Sequence, residues 1–149
     1  MPSEKISCFV DTNLLIYAID PSDHEKRILA SGQLARMIKN RTLVLSAQSL
    51  NEFYRVVSGR RRLMGREDAR QFIESLSSFC VAPSGFQVTQ QAWRIQDATN
   101  FGWWDCLLLG AASLAGVTYF LSEDMQHERQ LFGMTILDPF RLDPRRPLF

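Results

Sequence analysis

Isolated acids stand where the apolar segments of this chain end. Asp11 follows Ile6-Ser7-Cys8-Phe9-Val10, and Asp124 follows Val117-Thr118-Tyr119-Phe120-Leu121-Ser122. Asp105 follows Trp103-Trp104 and opens a long apolar run, while Glu52 lies inside Leu50-Asn51-Glu52-Phe53-Tyr54. An ionised carboxylate beside a core strand or on a core helix face is costly unless it is paired. Several such acids with few evident basic partners point to one shared compensation, a divalent metal ion.

The apolar runs themselves set the fold class. Ile6 to Val10 has the length and composition of a strand buried on both faces. Thr42-Leu43-Val44-Leu45, Thr118 to Leu121 and Thr135-Ile136-Leu137 read as further short strands. Between them lie helical patterns. Thr12 to Ile19 starts a helix directly from the first strand. A second helix, capped by Ser22 or Asp23, carries the stripe Ile28, Leu29, Leu34, Ala35 and Ile38 to about Asn40. Ser46 or Ser49 caps a helix over Ala47 to Val57, with Leu50, Phe53, Tyr54 and Val57 on one face. Gly65 to Phe79, with charged residues at its cap, Thr89 to Thr99, and Trp104 to Ala115 are the remaining helices, the last closed by Gly116. Phe79-Cys80-Val81-Ala82 fits a helix end or a short strand equally well.

Strands alternating with helices predict a parallel α/β sheet covered on both faces. In such sheets ligands bind outside the carboxyl ends of the strands. Asp11 and Asp124 stand just past two of those ends, and Glu52 and Asp105 lie near helix starts, which meet the same rim.

With 149 residues, 46% of them hydrophobic and 22% charged, the chain reads as one globular domain, residues 1–149, with 141–149 as an extended tail. A formal net charge of +1 is too balanced to mark a nucleic-acid binder by bulk charge. Cys8, Cys80 and Cys106 have no metal spacing and fit buried thiols in a reducing compartment. Met1-Pro2-Ser3-Glu4-Lys5 has no signal core, and Leu107 to Val117 is too short to span a bilayer, so a cytoplasmic protein without membrane attachment is expected.

A site of three or four acids without His or Cys suits Mg²⁺ or Mn²⁺ and disfavours zinc. Close carboxylates raise one another's pKa until a cation removes the repulsion. That cation also acidifies water and neutralises phosphoryl charge, which are the requirements of phosphodiester hydrolysis. Asn13 and Ser122 lie beside Asp11 and Asp124 and can orient a carboxylate or a water. The plainer alternatives are a cap or turn role for each Asp and a solvated pair between Glu52 and Arg55. Asp20, Asp23, Glu67, Asp68 and Asp97 read as ordinary surface or cap acids.

The strings around the four acids resemble one known family. Phe9-Val10-Asp11-Thr12-Asn13-Leu14-Leu15-Ile16-Tyr17-Ala18 is similar to the opening of PIN-domain proteins. Leu50-Asn51-Glu52-Phe53-Tyr54, Trp104-Asp105-Cys106-Leu107-Leu108-Leu109-Gly110-Ala111-Ala112 and Leu121-Ser122-Glu123-Asp124-Met125-Gln126-His127 resemble its second, third and fourth motifs. Ile136-Leu137-Asp138-Pro139-Phe140 resembles its closing strand and turn. The ordered set covers nearly the whole chain, and the short length is similar to VapC-type toxins of toxin–antitoxin modules. Cys106 departs from the family, where a small Ala is common.

The resemblance implies a three-layer α/β/α sandwich around a mainly parallel sheet. It implies an Mg²⁺- or Mn²⁺-dependent ribonuclease, with Asp11, Glu52, Asp105 and Asp124 catalytic. Asp11, Asp105 and Asp124 would be the metal ligands and Glu52 a proton acceptor or water ligand. It also implies an antitoxin protein as partner, and a homodimer. Glu123 should turn away from the site by strand alternation.

Arg60-Arg61-Arg62, near Arg55 and Arg66, is the densest basic run and is either a solvated face or an RNA-phosphate contact. Trp103 and Trp104 can stack a base, but core or interface is the expectation for at least one. His24 and His127 read as surface residues, and Met125 as packing. A receiver-like phosphoacceptor domain would need a late lysine, and the only lysines are Lys5, Lys26 and Lys39. A non-catalytic PIN-like scaffold is the other rival, against which the presence of all four acids counts.

Overall fold

The computed structural model describes residues 5–149, so the reading of Met1 to Glu4 lies outside the described residues. The elements are β1 (Cys8–Val10), α1 (Thr12–Tyr17), α2 (His24–Lys39), β2 (Leu43–Val44), α3 (Ala47–Arg55), α4 (Arg66–Ser75), α5 (Phe86–Ala98), α6 (Trp103–Leu114), β3 (Tyr119–Leu121), β4 (Gln130–Leu131) and β5 (Met134–Leu137). This is an α/β fold whose five strands are ordered β2-β1-β3-β5-β4. β1 and β5 both run parallel to β3, and β4 is antiparallel to β5. The chain falls into two compact units, residues up to Leu43 with Val117–Phe149, and Val44–Gly116.

In the first unit, every residue of β1 is fully buried. Such strands in parallel sheets read as unbroken apolar runs because both faces are covered. Phe9 pairs in register with Phe120, and their rings stack at 5.2 Å. The strand is shorter than expected, since Ile6 is already exposed. Asp23, rather than Ser22, caps α2 by accepting from the Lys26 backbone N–H at 3.1 Å. The buried face of α2 is Ala30, Leu34 and Met37. Ile28, Ala35 and Ile38 are exposed, which corrects the expected stripe: the i, i+4, i+7 row that meets the core starts two residues later.

β4 has no counterpart in the sequence reading. It pairs with β5 through Phe132 and Gly133, both with positive φ (47° and 84°). That is the backbone of a tight hairpin turn, here without the usual Asn or Asp signal. After β5, a 3₁₀ turn spans Pro139–Arg141, with the Asp138 side chain accepting from Phe140 N–H at 2.9 Å. Gln33 Nε2 donates to the Pro139 carbonyl at 2.9 Å. The residues beyond have no helix or strand, yet Phe149 is buried, so the tail folds back rather than extending freely.

In the second unit, Ser46 and Ser49 share the capping of α3. Each side chain accepts from the other's backbone N–H, at 3.2 and 3.1 Å. Leu50, Phe53 and Val57 are buried as expected, and Tyr54 is half-buried. α3 continues into a π-helical turn, Val56–Arg60. α4 is capped by Gly65 with no side-chain bond, not by a charged group; Glu67 and Asp68 in its first turn complement the helix dipole instead. It ends at Ser75, before a 3₁₀ turn over Ser77–Phe79. Cys80 then makes a single parallel bridge to Leu45, which resolves that ambiguous stretch as neither helix nor full strand.

α5 starts at Phe86, three residues earlier than the periodicity indicates, and buries Val88, Gln91, Ala92 and Ile95. Trp93 points outward and meets the Phe86 ring edge-on at 5.9 Å. A Cβ on Gly110 of α6 would stand 3.0 Å from the Val88 carbonyl, so glycine permits the close α5–α6 approach. Gly116, at φ +70°, takes the left-handed conformation that ends α6. No helix among the described residues is long and apolar enough to cross a membrane.

Candidate active site

The first unit brings four of the expected site residues together at the carboxyl ends of β1 and β3. The sheet ladder sets their positions. Asp11 N–H donates to the Leu121 carbonyl at 3.0 Å, and Ser122 N–H to the Leu137 carbonyl at 2.9 Å. Asp11 and Ser122 therefore stand side by side where their strands end. Ser122 Oγ donates to Asp11 Oδ2 at 2.9 Å and accepts from the Asp124 N–H at 3.3 Å. Asn13 Nδ2 donates to Asp124 Oδ2 at 2.8 Å. Asp11 and Ser122 are buried and Asp124 is exposed. Neutral hydroxyl and amide donors thus orient both carboxylates.

Glu123 leaves this group as expected, but it lies in a bend beyond the end of β3, so its direction comes from its own partner rather than from strand alternation. It pairs with the Lys26 ammonium, which also donates to Tyr17 Oη at 3.4 Å. Burial pushes the Glu123 pKa up, but hydrogen bonds from Lys26 and Tyr17 outweigh it and the net direction is down. The Lys26 pKa is raised, chiefly by its bond to Glu123. The Tyr17 pKa is also raised, first by burial and then by Glu123.

The second unit carries Glu52 and Asp105. Gln48 Nε2 donates to Glu52 Oε1 at 3.1 Å and to the Trp104 carbonyl at 3.2 Å. One amide therefore ties the Glu52 side chain on α3 to the first turn of α6, where Asp105 sits half-buried. The sequence reading missed Gln48. Its signal is the i, i+4 spacing to Glu52. Arg60, Arg61 and Arg62 are all exposed at the end of the π-helical turn, with Arg62 at φ 50°.

Several side expectations change. Asp20 is buried, 3% exposed, and its Oδ1 accepts from Ser22 N–H at 2.9 Å, so it is an internal turn acid rather than a surface one. His127 is half-buried, and its Nδ1 accepts from the Asp138 N–H at 2.9 Å, fastening the loop after β3 to the end of β5. Of the adjacent pair, Trp104 is exposed and Trp103 half-buried. Met125 is buried, as packing requires. Burial pushes the Cys8 thiol up to about 12, and all three cysteines are free.

Among the described residues, no group of three or more His, Cys, Asp or Glu side chains forms a ready-made metal site. The expected trio Asp11, Asp105 and Asp124 is therefore represented by one carboxylate pair at the strand ends and one acid on α6. The donor chemistry still suits a hard cation. Asp11 and Asp124 offer carboxylate oxygens, and the one nearby histidine is committed to a backbone N–H.

A comparison with curated proteins finds no match. Two solved structures share the fold. A chain of VapBC2 from Rickettsia felis, bound to a DNA fragment from its promoter, is 16% identical with a TM-score of 0.61, covering 88% of this chain and 97% of that one. A chain of DNA-bound VapBC from Salmonella typhimurium is 18% identical with a TM-score of 0.62, covering 91% and 99%. The family profile described as PIN domain matches residues 8–130, a span that contains all four acids and the Asn13 and Ser122 that orient two of them. The chain belongs to the PIN domain family.

Proposed function

We propose that this chain is a metal-dependent endoribonuclease and the toxin of a toxin–antitoxin pair, acting in the cytoplasm as a homodimer. The observation that carries the reading is the hydrogen-bonded set of Asp11, Ser122, Asn13 and Asp124 at the strand ends of a PIN domain. Fold likeness to chains of two VapBC complexes supports an antitoxin protein as partner.

Asp11, Asp105 and Asp124 would hold Mg²⁺ or Mn²⁺, which supplies charge neutralisation at the phosphate and a more acidic water. Ser122 and Asn13 hold the two strand-end carboxylates in orientation. Glu52, directed by Gln48, accepts the proton of the attacking water. Water attacks phosphorus in line, the P–O bond to the leaving ribose oxygen breaks, and that oxygen takes up a proton. Arg60, Arg61 and Arg62 would contact flanking phosphates.

The test is cleavage of total RNA by the purified chain with Mg²⁺ and with chelator. Cleavage that requires the metal is expected. RNA bound but uncut under both conditions would select the non-catalytic scaffold instead.

A further inference from the structure

Three consecutive residues after β3 take three different partners. Ser122 goes to Asp11, Asp124 to Asn13, and Glu123 to Lys26. The last of these contacts joins the fourth motif to a lysine outside every motif and spans 97 positions of sequence. Lys26 lies in the first turn of α2, where a positive charge opposes the helix dipole. Helix stability therefore does not account for it.

Its surroundings do. The ammonium stands 4.7 Å from the Tyr17 ring centroid and 4.9 Å from that of Phe140, in addition to its bonds to Glu123 and Tyr17 Oη. The two rings meet edge-on at 5.3 Å, which fixes the cage around it. An exposed ion pair contributes little, whereas one confined by two rings restricts the direction of both side chains. The chain atoms that Glu123 restrains are those that carry Ser122 and Asp124.

We infer that Lys26 is a positioning residue: through Glu123 it holds the Ser122–Asp124 segment so that Asp124 keeps its place beside Asp11. The inference rests on the proposed role of Asp124, and its test separates the two.

Lys26→Met is compared with Lys26→Arg, with Glu123→Gln as the variant that loosens the same contact from the other side. Amide hydrogen exchange across residues 122–125 is measured on the metal-free protein, Mn²⁺ binding by calorimetry without RNA, and cleavage of RNA with Mg²⁺. Lys26→Met and Glu123→Gln should speed exchange across that segment, weaken Mn²⁺ binding and lower kcat by about 10- to 100-fold with KM little changed. Lys26→Arg should recover most of each. Unchanged exchange and unchanged Mn²⁺ binding in both loosened variants would overturn the inference, even if cleavage fell. If Asp124→Asn cleaves like wild type, the catalytic reading falls, while exchange across 122–125 still decides whether Lys26 holds the segment.

Discussion

The acids at the strand ends and the acids on the helices are held in different ways. Asp11 and Asp124 are reached by separate neutral donors, Ser122 and Asn13, and the segments joined lie 111 positions apart in sequence. The sheet ladder places these groups before any side chain is considered, because Asp11 N–H and Ser122 N–H continue the hydrogen bonding of β1 and β3. Glu52 and the Trp104 carbonyl at the start of α6 are both bonded by Gln48 through its amide nitrogen. Acids placed by backbone pairing and an acid held through a side-chain amide should tolerate damage unequally.

The largest effect belongs to the strand-end carboxylates themselves. Asp11→Asn and Asp124→Asn should each reduce Mg²⁺-dependent RNA cleavage by about 10³-fold or more, the scale of losing an electrostatic stabiliser. Both should unfold in urea close to the wild-type midpoint. Cleavage at the wild-type rate by both variants would remove the strand ends from the chemistry.

Next come the orienting groups, where the comparison is direct. Ser122→Ala removes a fully buried hydroxyl that both donates and accepts, and should cost about 10- to 100-fold in kcat. Gln48→Ala should cost less, about 10-fold or under, because it leaves both helices and their caps in place. A larger loss for Gln48→Ala would reverse the proposed order of the two orienting groups.

A smaller effect is expected at the basic run. Arg61→Ala should lower the slope of log affinity against log salt by about 0.7 for single-stranded RNA while leaving kcat unchanged. A slope equal to wild type would make the run a solvated face.

The smallest effect concerns the cysteines, one on β1 and two in the other unit. At pH 8, a thiol reagent should modify half-buried Cys80 first and fully buried Cys8 last, followed by mass spectrometry. The Cys8 pKa is raised from 9.0 to about 12 by burial, so its contribution to stability is full below pH 9 and is lost as pH rises toward about 12. The stability advantage of wild type over Cys8→Ala should shrink across that window in urea titrations.

The fold was largely legible because its signals are local. The both-face-buried run Ile6 to Val10, the Ser46 and Ser49 caps, and Gly116 after the last long helix each report through short-range sterics and hydrogen bonding. β4 was hidden because it is two residues long and its turn places Phe132 at positive φ, which sequence patterns do not anticipate. The α2 stripe misled because Ile28 and Ile38 are as apolar as Leu34 and Met37. Which of two overlapping apolar rows faces inward is a property of the packing partner.

At the candidate site the same division holds. The sequence alone determined the residue types: four carboxylates in PIN-like strings, with Asn13 and Ser122 adjacent to two of them, and no thiol or imidazole set to compete for a metal. Only the tertiary structure decided how they are held. The parallel β1–β3 pairing put Ser122 against Asp11 and Asn13 against Asp124, a ring cage put Lys26 against Glu123, and Gln48 bonded both Glu52 and the Trp104 carbonyl of α6. Side-chain chemistry is written at each position, but a hydrogen bond between residues a hundred positions apart exists only once the backbone ladder has brought their strands together.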